Sequence, residues 1–184
     1  MSRTHEQLDD LKRQLDEATI RMHRLVDDLD TESWGKRPAL GGWSIAECMQ
    51  HLNITSRSYE ESIPKALATL RAKQGKEPSR YRRDIFGWLI SKGLEPPARK
   101  KFVTAPPFDP RSIEPRETVV AEWERLQSMM KELVDASRGL DLHGVKIVSP
   151  FNNRVSYNIY SVFHIITAHQ RRHLWQGEQV RGTR

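Results

Sequence analysis

The sequence predicts an all-α fold: a four-helix bundle in up-down-down-up order, with a long crossover between the second and third helices. Three observations predict it. Four stretches carry apolar residues at alternating steps of three and four, the spacing of a core-facing helical stripe. A long aperiodic, proline-bearing stretch separates the second from the third. In the last stretch the stripe itself turns from aliphatic to imidazole, so a bundle core is also a candidate site.

The first helix carries Leu8, Leu11, Leu15, Ala18, Met22, Leu25 and Leu29 on one face, and it should end before Ser33-Trp34-Gly35. A turn-forming run, Pro38-Ala39-Leu40-Gly41-Gly42-Trp43, leads to Ser44-Ile45-Ala46-Glu47, which reads as a capping box with Ser44 as N-cap and Glu47 at the third helical position. The second helix then carries Ile45, Cys48, Met49, Leu52 and later Ala66, Leu67 and Leu70, and Pro64 should kink or split it. From Arg71 to Glu114 periodicity lapses, apart from a short helix expected around Arg83 to Ser91, and Pro96-Pro97 and Pro106-Pro107 follow. The third helix should run from Arg116 to Ser137 with Val119, Trp123, Leu126, Met130 and Leu133 inward. A polar, glycine-bearing connection leads to the fourth, from about Ser156 to near Gly182.

At 184 residues the chain suits one domain, residues 1–184, long enough to bury a core. No apolar run approaches the roughly 18 residues needed to span a bilayer, and Met-Ser-Arg-Thr-His-Glu-Gln lacks a hydrophobic signal core, so no membrane partner and a cytoplasmic location are expected. The single cysteine, Cys48, excludes an internal disulfide framework, and its helical position reads as a small core residue rather than a nucleophile. The formal charge of +6 is concentrated: Arg71 to Lys101 holds ten Lys or Arg against three Asp or Glu. With little aromatic interleaving and no DNA-reading module there, nucleic acid is not the expected partner.

The fourth helix shows Ile159, Val162, Ile166, His169, His173 and Gln176 along one stripe. Two histidines four residues apart lie about 40° from each other around a helix, so both imidazoles can meet one ion, whereas His164 lies about 140° away from His169 and reads as a core or interface residue. His5, His23 and His143 stand outside any such pattern and read as surface groups. His51 lies about 10 Å into the second helix, and the centre of the His169 and His173 pair roughly 14 Å from the end of the fourth. Antiparallel helices with level ends bring the three rings to nearly the same height; parallel ones leave them about 12 Å apart. The long crossover makes the second and fourth helices antiparallel, so loop length and ligand height favour the same topology.

Gly42-Trp43-Ser44-Ile45-Ala46-Glu47 leading to His51-Leu52, with the distant His169-Gln-Arg-Arg-His173-Leu-Trp-Gln176, resembles the DinB/YfiT-like superfamily of metalloenzymes. Lys101-Phe102-Val103-Thr104-Ala105-Pro106-Pro107, then Asp109-Pro110, is similar to that family's crossover. The resemblance covers nearly the whole chain. It implies a DinB-like four-helix bundle, frequently a homodimer, that holds a divalent metal through His51, His169 and His173, with Gln176 near the site. It also implies thiol-dependent S-transfer or isomerisation with glutathione, mycothiol or bacillithiol, although the family does not fix one reaction and no motif here selects a thiol.

Three neutral imidazoles leave a coordination position open, the pattern of catalytic rather than structural sites. The expectation is therefore a small-molecule thiol activated on the metal and attacking an electrophilic substrate. Hydrolysis by metal-activated water is the alternative, and a metal-binding stress protein without turnover the third reading. Imidazoles suit zinc, nickel, copper and iron, with zinc or nickel expected. Glu47 has two readings, an acceptor that orients His51 or simply the partner of the Ser44 cap. Arg171 and Arg172 flank the ligand pair, and Arg172 is the candidate for contact with an anionic substrate, against the plain reading of a solvated arginine. No catalytic residue beyond the metal ligands is assigned.

Overall fold

A computed structural model describes residues 2–39, 41–97 and 104–182. The order is α1 (Arg3–Val26), α2 (Thr31–Gly35), α3 (Ile45–Arg57), α4 (Ser62–Lys73), α5 (Ile85–Leu94), a 3₁₀ turn (Pro106–Phe108), α6 (Arg116–Asp135), β1 (Lys146–Ser149), β2 (Asn152–Asn158) and α7 (Ile159–Gly182). The described residues are mostly helical, with one small two-stranded sheet.

The amphipathic spacing of α1 buries Leu8, Leu11, Leu15, Ala18, Met22 and Leu25 as expected, but the helix stops at Val26. Asp30 then caps a separate one-turn helix, accepting from the Ser33 amide, and the buried Trp34 donates its indole N–H to the Glu114 carbonyl. The expected second helix is split. It ends at Arg57, and α4 begins at Ser62 with Pro64 in its first turn, where a missing N–H costs no helical hydrogen bond. The short helix expected at Arg83 to Ser91 starts at Ile85, behind an Asp84 cap that accepts from the Gly87 amide, and runs to Leu94.

Between α6 and α7 the expected polar connection contains a small hairpin. Lys146–Ser149 and Asn152–Asn158 pair antiparallel, with Ile147 opposite Tyr157, both buried. Burial alternates along the first run, and Val155 and Tyr157 alternate with polar residues in the second, which suits a half-buried hairpin better than a loop. The helix accordingly starts at Ile159 rather than near Ser156, with Asn158 of β2 accepting from the Ser161 amide across its first turn.

Contacts fix how the long helices run. Between α1 and α7 they advance together, Gln7 with Tyr160, Gln14 with Arg171 and Arg21 with Glu178. Between α1 and α6 they run oppositely, Lys12 with Asp135, Asp16 with Lys131 and Thr19 with Trp123. Between α3 and α6 they advance together, Asn53 with the Val119 carbonyl and Arg57 with Glu122. Helix α3 opposes α7, with His51 against His173 and Thr55 against His169. One apolar cluster joins α1, α4, the hairpin and the first half of α7; a second joins the far half of α1 to α3, α6 and the end of α7. Helix α5 lies on α7 so closely that a Cβ on Gly87 would stand 2.2 Å from the Ser161 side chain. No helix among the described residues is long and apolar enough to cross a membrane.

Candidate metal centre

Helices α3 and α7 bring His51, His169 and His173 together, with one ring nitrogen from each lying within 4.8 Å of the others. The ring centroids are 5.0 Å apart for His51 and His169, 4.7 Å for His51 and His173, and 4.7 Å for His169 and His173. Because α3 opposes α7, one histidine from the first meets an i, i+4 pair from the second.

Neighbours select the tautomers. His51 Nδ1 lies 2.7 Å from the Phe108 carbonyl, which can only accept, so Nδ1 carries the proton and Nε2 offers its lone pair. The 3₁₀ turn in the crossover delivers that carbonyl. Thr55 donates its hydroxyl to the Leu52 carbonyl and turns a lone pair toward His169 Nδ1 at 3.5 Å. The Nε2 atoms of His51 and His169 then face each other at 3.2 Å. Two lone pairs at that distance repel unless a cation or a proton lies between them. The separation is close to the roughly 3.3 Å edge of a nitrogen tetrahedron built on zinc–nitrogen bonds of about 2.0–2.1 Å. His173 Nδ1 is buried with no hydrogen-bond partner. An all-imidazole donor set with its ring nitrogens within 4.8 Å of one another fits a borderline divalent ion.

Electrostatics favour the neutral, ligating form. Burial pulls His51 below its ordinary value, only partly offset by the bond to Phe108. Burial also holds His169 and His173 well below theirs; His173, His51 and Arg172 add to it at His169, and His51 and Arg172 add to it at His173 against a bond to Gln176. Trp43 covers the cluster, its ring 5.6 Å from His173 and nearly parallel to it, and 4.8 Å from His51. Gly42 just before it has φ +116°, a conformation that L side chains rarely adopt, and the turn sets Trp43 over the rings.

Glu47 forms the capping box, accepting from the Ser44 amide at 2.8 Å, and takes an ion pair from Arg37. Burial pushes its carboxyl up, but Arg37 and the Ser44 cap outweigh that and leave it below the ordinary value. The acceptor for His51 is the Phe108 carbonyl, so orientation of that ring does not fall to Glu47. Arg172 is buried and lines a cavity beside the imidazoles, as does Gln176. Arg171 instead ties α7 to Glu95 and Gln14. Cys48 is buried and its thiol pushed up by burial, as a core residue should be. His164 packs edge-on against Tyr160, 4.6 Å between centroids, away from the cluster. His23 pairs with Asp27 and Glu124, and His143 accepts from the Arg82 amide. Of the crossover pattern, Lys101-Phe102-Val103 lies outside the described residues, while Pro106–Phe108 carries the carbonyl that orients His51.

Sequence reasoning missed Trp43, Thr55 and the Phe108 carbonyl. Trp43 sat in view, inside the turn before the capping box. A backbone carbonyl 57 residues from its histidine leaves no side-chain signal.

The cavity has a volume of about 1110 Å³ and is bounded by the imidazoles and Trp43 on one side, α5 on another, and Phe151 of the hairpin. The family model of the DinB superfamily matches residues 14–176. No curated protein and no solved structure matches the chain.

Proposed function

The chain belongs to the DinB superfamily, and from that premise we propose that it is a divalent-metal protein whose His51, His169 and His173 hold the ion, working as a metal- and thiol-dependent S-transferase. Zinc or nickel is the proposed ion. One observation carries the metal reading: a ring nitrogen from each of His51, His169 and His173 lies within 4.8 Å of the others, with the Nε2 atoms of His51 and His169 3.2 Å apart. We place the site in an up-down-down-up four-helix bundle of α1, α3, α6 and α7, a topology supported by the contact directions between these helices.

When held by these imidazoles, a divalent ion would supply the Lewis acidity that favours the thiolate form of a thiol beside it. The remaining work belongs to the chain. The Phe108 carbonyl and Thr55 hold the two rings with Nε2 inward, and Trp43 shields them from water on one side. Cys48 is too buried to be the attacking sulfur, which favours an external low-molecular-weight thiol. The cavity leaves room beside the imidazoles for thiol and electrophile together. The thiol proton leaves to solvent, sulfur bonds to the electrophilic carbon, and the leaving group departs with its electron pair. Arg172 and Gln176, both on the cavity wall, are placed to position the substrate. The homodimer implied by the family is part of the proposal, favoured by the outward apolar side of α5, where Ile85 is 75% and Phe86 52% exposed.

Elemental analysis tests the metal site. His169→Ala and His173→Ala should each lose most bound divalent metal while keeping helical circular dichroism, and equal metal in the double variant and the parent would refute the assignment. Conjugation of a model electrophile should need both metal and added thiol, and His51→Ala should abolish it. Ester or amide hydrolysis with metal alone would replace the transferase reading with a hydrolase; no turnover across a broad panel would leave metal binding as the function.

A further inference from the structure

Much of the cavity lining is carbon. Helix α5 contributes Leu89, Ile90 and Leu94, the hairpin contributes Phe151 and Val155, and α7 contributes Trp175. The apolar surface continues to the outside, because Leu89 is 53% and Phe151 40% exposed. His51, His169, His173 and Arg172 lie close together on the lining, Ser149 and Asn152 line it from the hairpin, and α5 contributes no polar side chain to it. A ligand rich in hydroxyls would leave many of them without partners against the α5 wall, which costs a few kcal/mol for each one buried. A cavity of about 1110 Å³ holds a molecule of drug size.

We propose that the cavity selects an apolar small molecule, an alkyl chain or fused ring, that lies against Leu89, Ile90, Leu94 and Phe151 and presents its reacting carbon to the imidazole end. This deepens the transferase reading by naming the class of its electrophile, but binding by the apolar wall requires neither thiol nor turnover. Gly93 supplies a clean probe. It lines the cavity, and a Cβ built there meets nothing within 4 Å, so a larger side chain enters open space rather than the core.

The test uses the full-length metal-loaded protein and straight-chain primary alcohols from butanol to decanol, with binding followed by titration calorimetry. Affinity should rise about fourfold per methylene, the equivalent of about 0.8 kcal/mol per buried CH₂. Gly93→Leu should weaken octanol and decanol at least tenfold while leaving butanol affinity and metal content unchanged. Leu89→Asn alters a rim residue that is already half exposed, so it is expected to stay folded, and it should weaken the long alcohols severalfold. An affinity that stays flat along the series overturns the proposal, as does a long-alcohol affinity that neither variant changes. Failure of the transferase reading appears elsewhere, as conjugation that ignores thiol or metal, and leaves the alcohol series as it was.

Discussion

His164 separates the chemistry of the fourth stripe from its packing. It lies on the same helix as the ligand pair, yet it meets Tyr160 and buries an Nε2 without a partner. Burial lowers its pKa from the ordinary 6.5 to about 4, with Arg83 and Arg171 adding to the effect and Asp10 and Glu95 opposing it. The folded value lies below the unfolded one, so the contribution to stability is complete above pH 6.5 and is lost as pH falls from there through about 4. In chelator, the unfolding midpoint of the parent should therefore fall more steeply across that window than that of His164→Leu; parallel curves would mean that His164 is not buried neutral. The ligand histidines titrate in the same direction, so bound metal should also be released as pH drops, read by elemental analysis after gel filtration at each pH. At this scale the candidate ligands were legible, because helical spacing alone puts His169 and His173 on one face and the distance from the Ser44 cap sets the height of His51. Their partners were not, since Thr55 and the Phe108 carbonyl reach the rings through tertiary contacts that no local period records.

Elements succeed or fail on their ends and their closest approaches. The capping box of α3 was legible because it is written within four consecutive residues, and both of its hydrogen bonds are present. Ser44→Ala removes one of them and should cost about 1 kcal/mol, measured by denaturant unfolding with unchanged slope. The contact of α5 with α7 was not legible: it depends on Gly87 having no side chain where Ser161 crosses it. Gly87→Ala would set a methyl 2.2 Å from Ser161, a distance real Cβ atoms essentially never show, so α5 must shift off α7. The gain in helix propensity is only about 1 kcal/mol and does not offset that separation. The expected result is a lower unfolding midpoint together with faster amide exchange in α5; a midpoint at or above the parent's would show that the two helices are not packed this closely. The hairpin was missed for a related reason, since its short runs carry too few residues for a period of two to stand out from a polar connection.

For the whole molecule the decisive quantity is the direction of α3 relative to α7, because it alone brings a histidine from residue 51 to a pair more than a hundred residues later. The crossover permits that direction, and its 3₁₀ turn also orients the ring it makes reachable. The proposed topology predicts distances that can be measured without the metal. Arg24 and Gln179 are exposed positions at the same end of two helices that run together, as the bond from Arg181 to the Arg24 carbonyl requires, so spin labels there should be close. Arg57 is exposed at the other end of α3, two residues past Thr55, which is level with His169. With α3 and α7 opposed, Arg57 falls level with about residue 167, and Gln179 is then roughly 18 Å further along the axis at about 1.5 Å per residue. With the same helices parallel about the centre of their contact, where residue 53 lies beside residue 171, Arg57 would fall near residue 175, only about 6 Å from Gln179 along the axis. Pulsed dipolar measurements should therefore give a shorter distance for the Arg24 and Gln179 labels than for Arg57 and Gln179. The reverse order would break the opposed arrangement of α3 and α7, and with it the route by which three imidazoles from two helices meet.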